Sequence, residues 1–477
     1  MFKHVLSIGL CLLFVISGIA QEVTLSEALP LRNEISYYLI GKMRDKHLVL
    51  RERPGSFLLN AYNQDMTLGW EKEIMLEKRR PKIIETFDIE DRFFILYSHR
   101  TKGDLIIKMH KYDAAANLVD SVEVSNLGSS LVTPNFDILQ SENRKNIQIR
   151  INSTPGDIRL VVFNTDEMRA LYDIEFDPPD FNPFLDYGQL LIDNEGSSYF
   201  IVERDNRRLR KKGHHFSVFG YQSYSDRKFN FNISMGGRIT YDVTFVYDNL
   251  NHAIVGAGYY SDKAYARADG TFYLRSTVGD PSSRVLKFKR FDNQLLETVE
   301  GKNRRQKRYL TEIRVKELIL RRDGGALIVG EKFKRLDSRT ASGARITSGY
   351  GGFNPFNSDY FFDDLFIIAH DPSGEMHWTN FFYKRQYSKN DLGVFSSYFV
   401  MKTPSKLRFL FNDEIVQNNT VSEYIVEPTG KYDRNALLNA NYQNVKLRFV
   451  NSKQVASNEL VVPSEFKNEL RLLRVQY

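Results

Sequence analysis

The stretch LFIIAHDPSGEMHWTNFF, residues 365–382, decides how this chain is read. With the preceding FFDD (361–364), it crowds Asp363, Asp364, His370, Asp371, Ser373, Glu375 and His377 together, the composition of a catalytic cluster. It also reads as two β-strands, Leu365–Ala369 and Glu375–Phe382, joined by Asp371-Pro372-Ser373-Gly374. Pro at the second position and Gly at the fourth suit a tight turn, and an Asp at the first can bond the backbone two residues on.

Four other segments share this layout: FLLNAYNQDMTLGWEKEI (57–74), LIIKMHKYDAAANLVDSVEV (105–124), IRLVVFNTDEMRALYDIEF (158–176) and VLKFKRFDNQLLETVE (285–300). Each is an alternating strand that ends in an aromatic-type residue followed by Asn or Asp, then a short polar turn and a second strand. The pairs are Tyr62-Asn63, Tyr112-Asp113, Phe163-Asn164, Phe291-Asp292 and His370-Asp371. Trp70 and Trp378 both stand seven residues beyond their turn residue, which makes them packing residues of the unit rather than sugar-stacking platforms. The comparison turns the apparent catalytic cluster into one copy of a repeat, and only Asp363 and Asp364 keep functional interest.

Further strands precede each pair: HLVLRE (47–52), RFFILYS (92–98), NIQIRIN (146–152), SYFIVER (198–204), AIVGAGYY (253–260), ALIVGEKF (326–333) and LRFLFND (407–413). Most of these follow another, such as IIETFDI (83–89), TYDVTFVY (240–247) and EIRVKELIL (312–320). The unit therefore has four strands, recurring about every 50 residues early in the chain and stretched by insertions later. This pattern resembles the β-propeller superfamily over residues 21–477, on architecture alone, since no blade carries a Gly-His or Trp-Asp signature. The resemblance implies an all-β, single-domain propeller of seven or eight four-stranded blades. Seven units are complete. The tail, KLRFVN (446–451), NELVVP (458–463) and ELRLLRVQ (469–476), could join the orphan strand EVTLS (22–26) in a composite eighth blade that closes the ring and removes exposed edges.

Residues 1–20 have the form of a secretory signal peptide: Lys3, an apolar run from Val5 to Ile16, and small Gly18 and Ala20 before a cut at Gln21. Cys11, the single cysteine, lies inside that run, so the mature chain has no disulfide, thiolate site or thiol nucleophile. Size without disulfides fits a bacterial periplasm, outer membrane or outer surface better than a eukaryotic secretory route, and the sequon at Asn418 carries little weight. The expected localisation is export from a Gram-negative cell. No other apolar stretch is long enough to span a bilayer, so no transmembrane segment is expected after cleavage.

In a propeller the connections from the second to the third strand (b–c) and from one blade to the next (d–a) emerge on one face. The basic runs EKRRP (77–81), RDNRRLRKKGHH (204–215) and GKNRRQKR (301–308) all fall there, as do the two long insertions at 261–283 and 334–361. The first insertion could hold a strand of its own; the second reads as an aromatic loop. The candidate partner-binding residues are Arg207, Arg208, Arg210, Lys211, Lys212, Arg304, Arg305, Lys307, Arg308, Tyr350, Phe353 and Phe356. With a formal charge of +7 they favour an acidic partner: a protein, a lipid head-group layer or an anionic polysaccharide. Export argues against nucleic acid.

Motifs for chemistry are missing. There is no His-Glu-x-x-His or Gly-x-Ser-x-Gly, no Asp-rich calcium loop, and neither DGGALIVGE (323–331) nor GYGGFNPF (349–356) is a nucleotide loop. No cofactor and no catalytic residue is expected, and His214-His215 reads as the end of a basic loop. The resulting expectation is an exported, non-enzymatic interaction scaffold. A propeller enzyme acting on polysaccharide or peptide, its groups gathered from several blades, and a lectin-like carbohydrate binder stay open as alternatives.

Overall fold

The computed structural model describes residues 21–77, 80–129, 132–152, 158–179, 181–182, 186–263, 266–300, 308–337, 358–413, 415, 420–438 and 445–477. They form eight antiparallel sheets arranged as an eight-bladed β-propeller. Blades 1 to 7 cover 36–74, 82–129, 135–176, 188–234, 239–290, 313–389 and 399–438. Each meanders through four neighbouring strands, a to d, from the axis outward.

Blade 8 is composite, as the orphan strand suggests. Its strands a, b and c are Lys453–Ala456, Glu459–Phe466 and Glu469–Gln476. Its outer strand comes from the other end of the chain, with Glu22 opposite Gln476 and Leu25 opposite Leu473. The innermost strand is not KLRFVN. Leu447 makes only an isolated bridge to Ser464, and Phe449–Asn451 is a 3-10 turn.

Alternation within strands builds the core. Strand residues point by turns to the two faces of a blade, and each face meets a neighbour. In blade 1, Leu48 and Leu50 pack with Phe93, Ile95 and Tyr97 of blade 2, whereas Val49, between them, packs with Val461 and Leu472 of blade 8. Among the described residues there are eight such buried clusters, one for each junction between consecutive blades.

A turn joins the two strands in four of the five segments, and in two of them, at Asp113 and Asp371, the side chain bonds the backbone two residues on as expected. Asp113 Oδ1 accepts the amides of Ala115 (2.9 Å) and Asn117 (2.8 Å), Asn164 Oδ1 that of Glu167 (2.9 Å), and Asp371 Oδ1 those of Ser373 (2.9 Å) and Glu375 (3.0 Å); the Asn63 side chain bonds Thr67 Oγ1 at 2.9 Å. The two tryptophans are equivalent: Trp70 pairs with Ala61 and Trp378 with Ala369, each beside a bulge. Trp378 also lies over blade 7, where a Cβ on Gly430 would come within 2.7 Å of its Cδ2.

The fifth segment departs from the expectation. In blade 5 strand c is Gly270–Thr277 and strand d is Asp280–Arg290, so 285–290 belongs to the outer strand and the insertion at 261–283 holds strand c itself. Asn293–Glu300 is a helix. Asp292 Oδ1 accepts the Leu295 amide at 2.7 Å, the geometry of an N-cap, and Leu296 and Val299 are buried between blades 5 and 6. Their three-residue spacing is helical, and it overrides the strand pattern borrowed from the sister segments. Blade 6 departs in another way. Its strands Ala326–Asp337, Ser358–His370 and Met376–Lys389 run on into the ends of the second insertion, with Arg335 opposite Tyr360 and Phe361 opposite Tyr387.

Side chains tie together the inner strands of neighbouring blades, which belong to separate sheets. The Gln189 amide donates to Phe245 O and accepts from Phe245 N, both at 2.8 Å, bridging blades 4 and 5. Gln454 does the same for Lys402 at 2.7 and 3.0 Å, between blades 8 and 7, and Asp242 Oδ2 accepts the Val315 amide at 2.8 Å, between blades 5 and 6. A side-chain amide carries the same donor and acceptor as a peptide group, so it supplies ladder-like bonds between strands of separate sheets.

Candidate functional site

Loop 205–214, between strands b (Ser198–Arg204) and c (His215–Gln222) of blade 4, lies on the b–c/d–a face. It is built of successive backbone turns: Arg207 N to Asp205 O (2.6 Å), Arg210 N to Arg207 O (2.9 Å), Gly213 N to Arg210 O (2.8 Å) and His214 N to Lys211 O (3.2 Å). Three side chains fasten it to blade 5 and to the connection leading into that blade. Asn206 exchanges two hydrogen bonds with the backbone of Thr240, at 3.0 and 3.1 Å. Lys211 Nζ donates to Asp262 O at 2.9 Å. His214, fully buried, donates from Nδ1 to Arg238 O at 2.6 Å, and its Nε2 stands 3.2 Å from Glu203.

Six of the nine sequence-predicted cations are among the described residues. Arg207, Arg208, Arg210 and Lys212 are exposed together on this loop. Lys211 is half-buried and serves as an anchor. Arg308 is exposed at the start of the connection into blade 6. Arg304, Arg305, Lys307, Tyr350, Phe353 and Phe356 lie outside the described residues. Leu209, which a search for charge passes over, is 98% exposed among the cations.

Beside the loop is a groove of about 1230 Å³, lined by Pro179, Asn182 and Asp186 from the connection out of blade 3, by Glu203 to Arg207 and Arg210, and by His215, Ser217, Phe219, Asn230 and Asn232. Its carboxylates are engaged: Asp186 lies 3.7 Å from Arg204, Asp205 lies 3.3 Å from Arg210, and Glu203 faces His214. Arg207, Arg208 and Lys212 have no carboxylate partner among the described residues, so the site carries a net positive charge. The signal for the neutral wall was present in RKFNFNIS (227–234), where Asn230 and Asn232 alternate with Phe229 and Phe231. Nothing in the sequence set that polar stripe beside the basic loop.

Asp363 and Asp364 belong to a different arrangement. They flank a buried ion pair, Lys384 Nζ to Glu331 Oε1 at 2.8 Å, with both side chains fully buried. Lys384 also donates to Phe362 O at 2.7 Å and Gln386 Oε1 at 2.9 Å, and Ser397 Oγ donates to Glu331 Oε2 at 2.9 Å. Burial pushes both aspartate carboxyls up, against the pull of Lys384. The pair fastens the long strands of blade 6 to the segment leading into blade 7. Among the described residues no three His, Cys, Asp or Glu side chains gather as a metal site, and no helix is long and apolar enough to cross a membrane.

No protein-family model matches the chain, and no curated protein matches it by sequence. Solved structures match in shape. Sqt1 of Saccharomyces cerevisiae is 8% identical, with 94% of this chain and 98% of that one covered, at a TM-score of 0.45. An oligogalacturonate lyase solved with manganese is 8% identical over 80% and 85% of the two chains, at 0.39. The β-propeller domain of the trilobed protease from Pyrococcus furiosus is 8% identical over 86% and 97%, at 0.37. The likeness is one of architecture.

Proposed function

We propose that this chain is an exported, non-enzymatic β-propeller that acts as an interaction scaffold, docking an acidic protein through the blade 4 loop. The observation that carries this reading is the state of Leu209, 98% exposed at a loop fastened in place by Asn206, Lys211 and His214. Burying one leucine is worth about 2 kcal/mol. A loop held in its binding conformation loses little entropy when a partner arrives. Arg207, Arg208 and Lys212 supply the charge that would steer an acidic surface onto it.

A photo-cross-linking residue in place of Leu209, read in the cell envelope, tests the docking. A discrete adduct is expected, and it should disappear with Arg207→Glu and Arg208→Glu together. An adduct that survives the charge reversal refutes the reading. Export is tested separately by mass spectrometry of the N-terminus. A mature chain beginning at Gln21 is expected, and one retaining Met1 refutes export.

A further inference from the structure

We infer that the groove beside the blade 4 loop is the receptor for an extended acidic peptide segment of the docked partner, an inference that rests on the docking reading above. The groove has the inventory such a ligand needs. Ser217 and Asn232 are cross-strand partners, as are Phe219 and Asn230, so the four side chains form one patch across strands c and d. Ser217 Oγ donates to Asn232 Oδ1 at 2.9 Å, which leaves Asn232 Nδ2 without a partner among the described residues. Both polar atoms of the Asn230 side-chain amide, Oδ1 and Nδ2, are equally unpartnered among them, and both asparagines are exposed.

Side chains two apart on a strand stand about 6.6–6.8 Å from each other, the same repeat at which an extended peptide presents its backbone groups to one side. Two amides at that spacing, each with donors and an acceptor, match a peptide backbone in register. Charge selects the side chains. The groove's three carboxylates are engaged by Arg204, Arg210 and His214. Arg207, Arg208 and Lys212 are left for acidic residues, with Leu209 for an apolar one. A polysaccharide would find one phenyl ring, Phe219, and one imidazole, His215, among the described groove residues, and a membrane surface could not enter a concave cleft.

The test uses the chain from residue 21 to 477 and fluorescence anisotropy with a labelled peptide of alternating Glu and Ser around one Leu. The wild type is expected to bind it, and the Gln-for-Glu peptide at least about tenfold more weakly. Asn230→Ala with Asn232→Ala is expected to weaken binding about tenfold; because Asn232→Ala also removes the acceptor of Ser217 Oγ, thermal unfolding of the variant is measured alongside, and Asn230→Ala alone, which breaks no such bond, is expected to weaken binding in the same direction. Arg207→Glu with Arg208→Glu should weaken it further. If charge reversal abolishes binding while the asparagine pair has no effect, the docking face stands and the groove assignment falls. If neither pair of substitutions changes binding, or the wild type does not bind, both fall. Tighter binding of polygalacturonate or of phosphatidylglycerol vesicles than of the peptide overturns the peptide assignment.

Discussion

Replacing Glu459 with Gln should open the ring at its seam. Glu459 is 2% exposed on strand b of blade 8 and accepts from Arg474 Nε and from Lys42 Nζ of blade 1, both at 2.5 Å, with His47 Nε2 of blade 1 at 3.1 Å. Burial alone would push its carboxyl up, but the hydrogen bonds from His47, Lys42 and Arg474 outweigh it and hold the group well below its ordinary value of 4.5. Glutamine keeps the shape and leaves the surrounding cations uncompensated. Removing one partner of a buried ion cluster costs about 3–5 kcal/mol. For a ring of this size, unfolding entropy near 2.1 cal/mol/K per residue turns that into a Tm loss of roughly 3–5 °C. If the loss is local, amide exchange along 22–25 and 459–476 should accelerate about 10²- to 4 × 10³-fold, at roughly 1.4 kcal/mol per decade. The sign with pH is fixed. A carboxyl held low in the folded state stabilises fully above its unfolded value and loses that contribution as pH falls, so the difference between wild type and variant should shrink below about pH 4.5. An unchanged Tm together with unchanged exchange in blade 8 would refute the reasoning.

Lys384→Met should destabilise by about 3–5 kcal/mol in a denaturant titration, and adding Glu331→Leu should recover much of it, because the pair is costly to break and cheap to replace as a unit; a double variant no better than the single would contradict this. His110 bonds two phenols, Tyr97 at 2.8 Å and Tyr112 at 2.9 Å, and burial, helped by Lys108, lowers its pKa from 6.5 to about 4. The unfolded chain therefore takes up the proton first. Stability should be complete above pH 6.5 and fall by about 3 kcal/mol towards pH 4, and an NMR titration of His110 should place its midpoint near the lower value. Asp371→Ala removes the acceptor for the Ser373 and Glu375 amides and should cost about 1 kcal/mol by thermal unfolding, although Asp371 sits in what first looks like a catalytic cluster.

That cluster shows what the sequence carries and what it withholds. Strand, Asx turn and strand are local, so their period survives in the residues, and Trp70 and Trp378 could be matched without coordinates. The composite blade was legible because a strand without a neighbour at one end and an incomplete unit at the other have one closing solution. Blade 5 was misread because Asp292 serves equally as a turn residue and as a helix cap; the choice depends on where Leu296 and Val299 can be buried, which is tertiary. The site was half legible. Cations announce themselves as a run, but Asn182, Ser217, Asn230 and Asn232 are ordinary polar residues until folding lines them along one groove. Leu209 means nothing in a string and a good deal when nothing covers it.

The seam has a consequence for assembly. Residues 22–25, with the short strand Leu29–Pro30 beside them, complete a sheet whose other three strands lie beyond residue 452. Every other blade is contiguous in the chain and can form from local contacts, whereas this one must wait for a contact spanning nearly the whole sequence, the slowest kind to find. Until then strand Glu469–Gln476 presents a bare edge, and bare edges accept strands from any source. At high concentration that strand can come from a second molecule, joining two rings by exchange of residues 22–25. The feature that seals each molecule is therefore also the place where two molecules could be linked without making any bond that the single ring lacks.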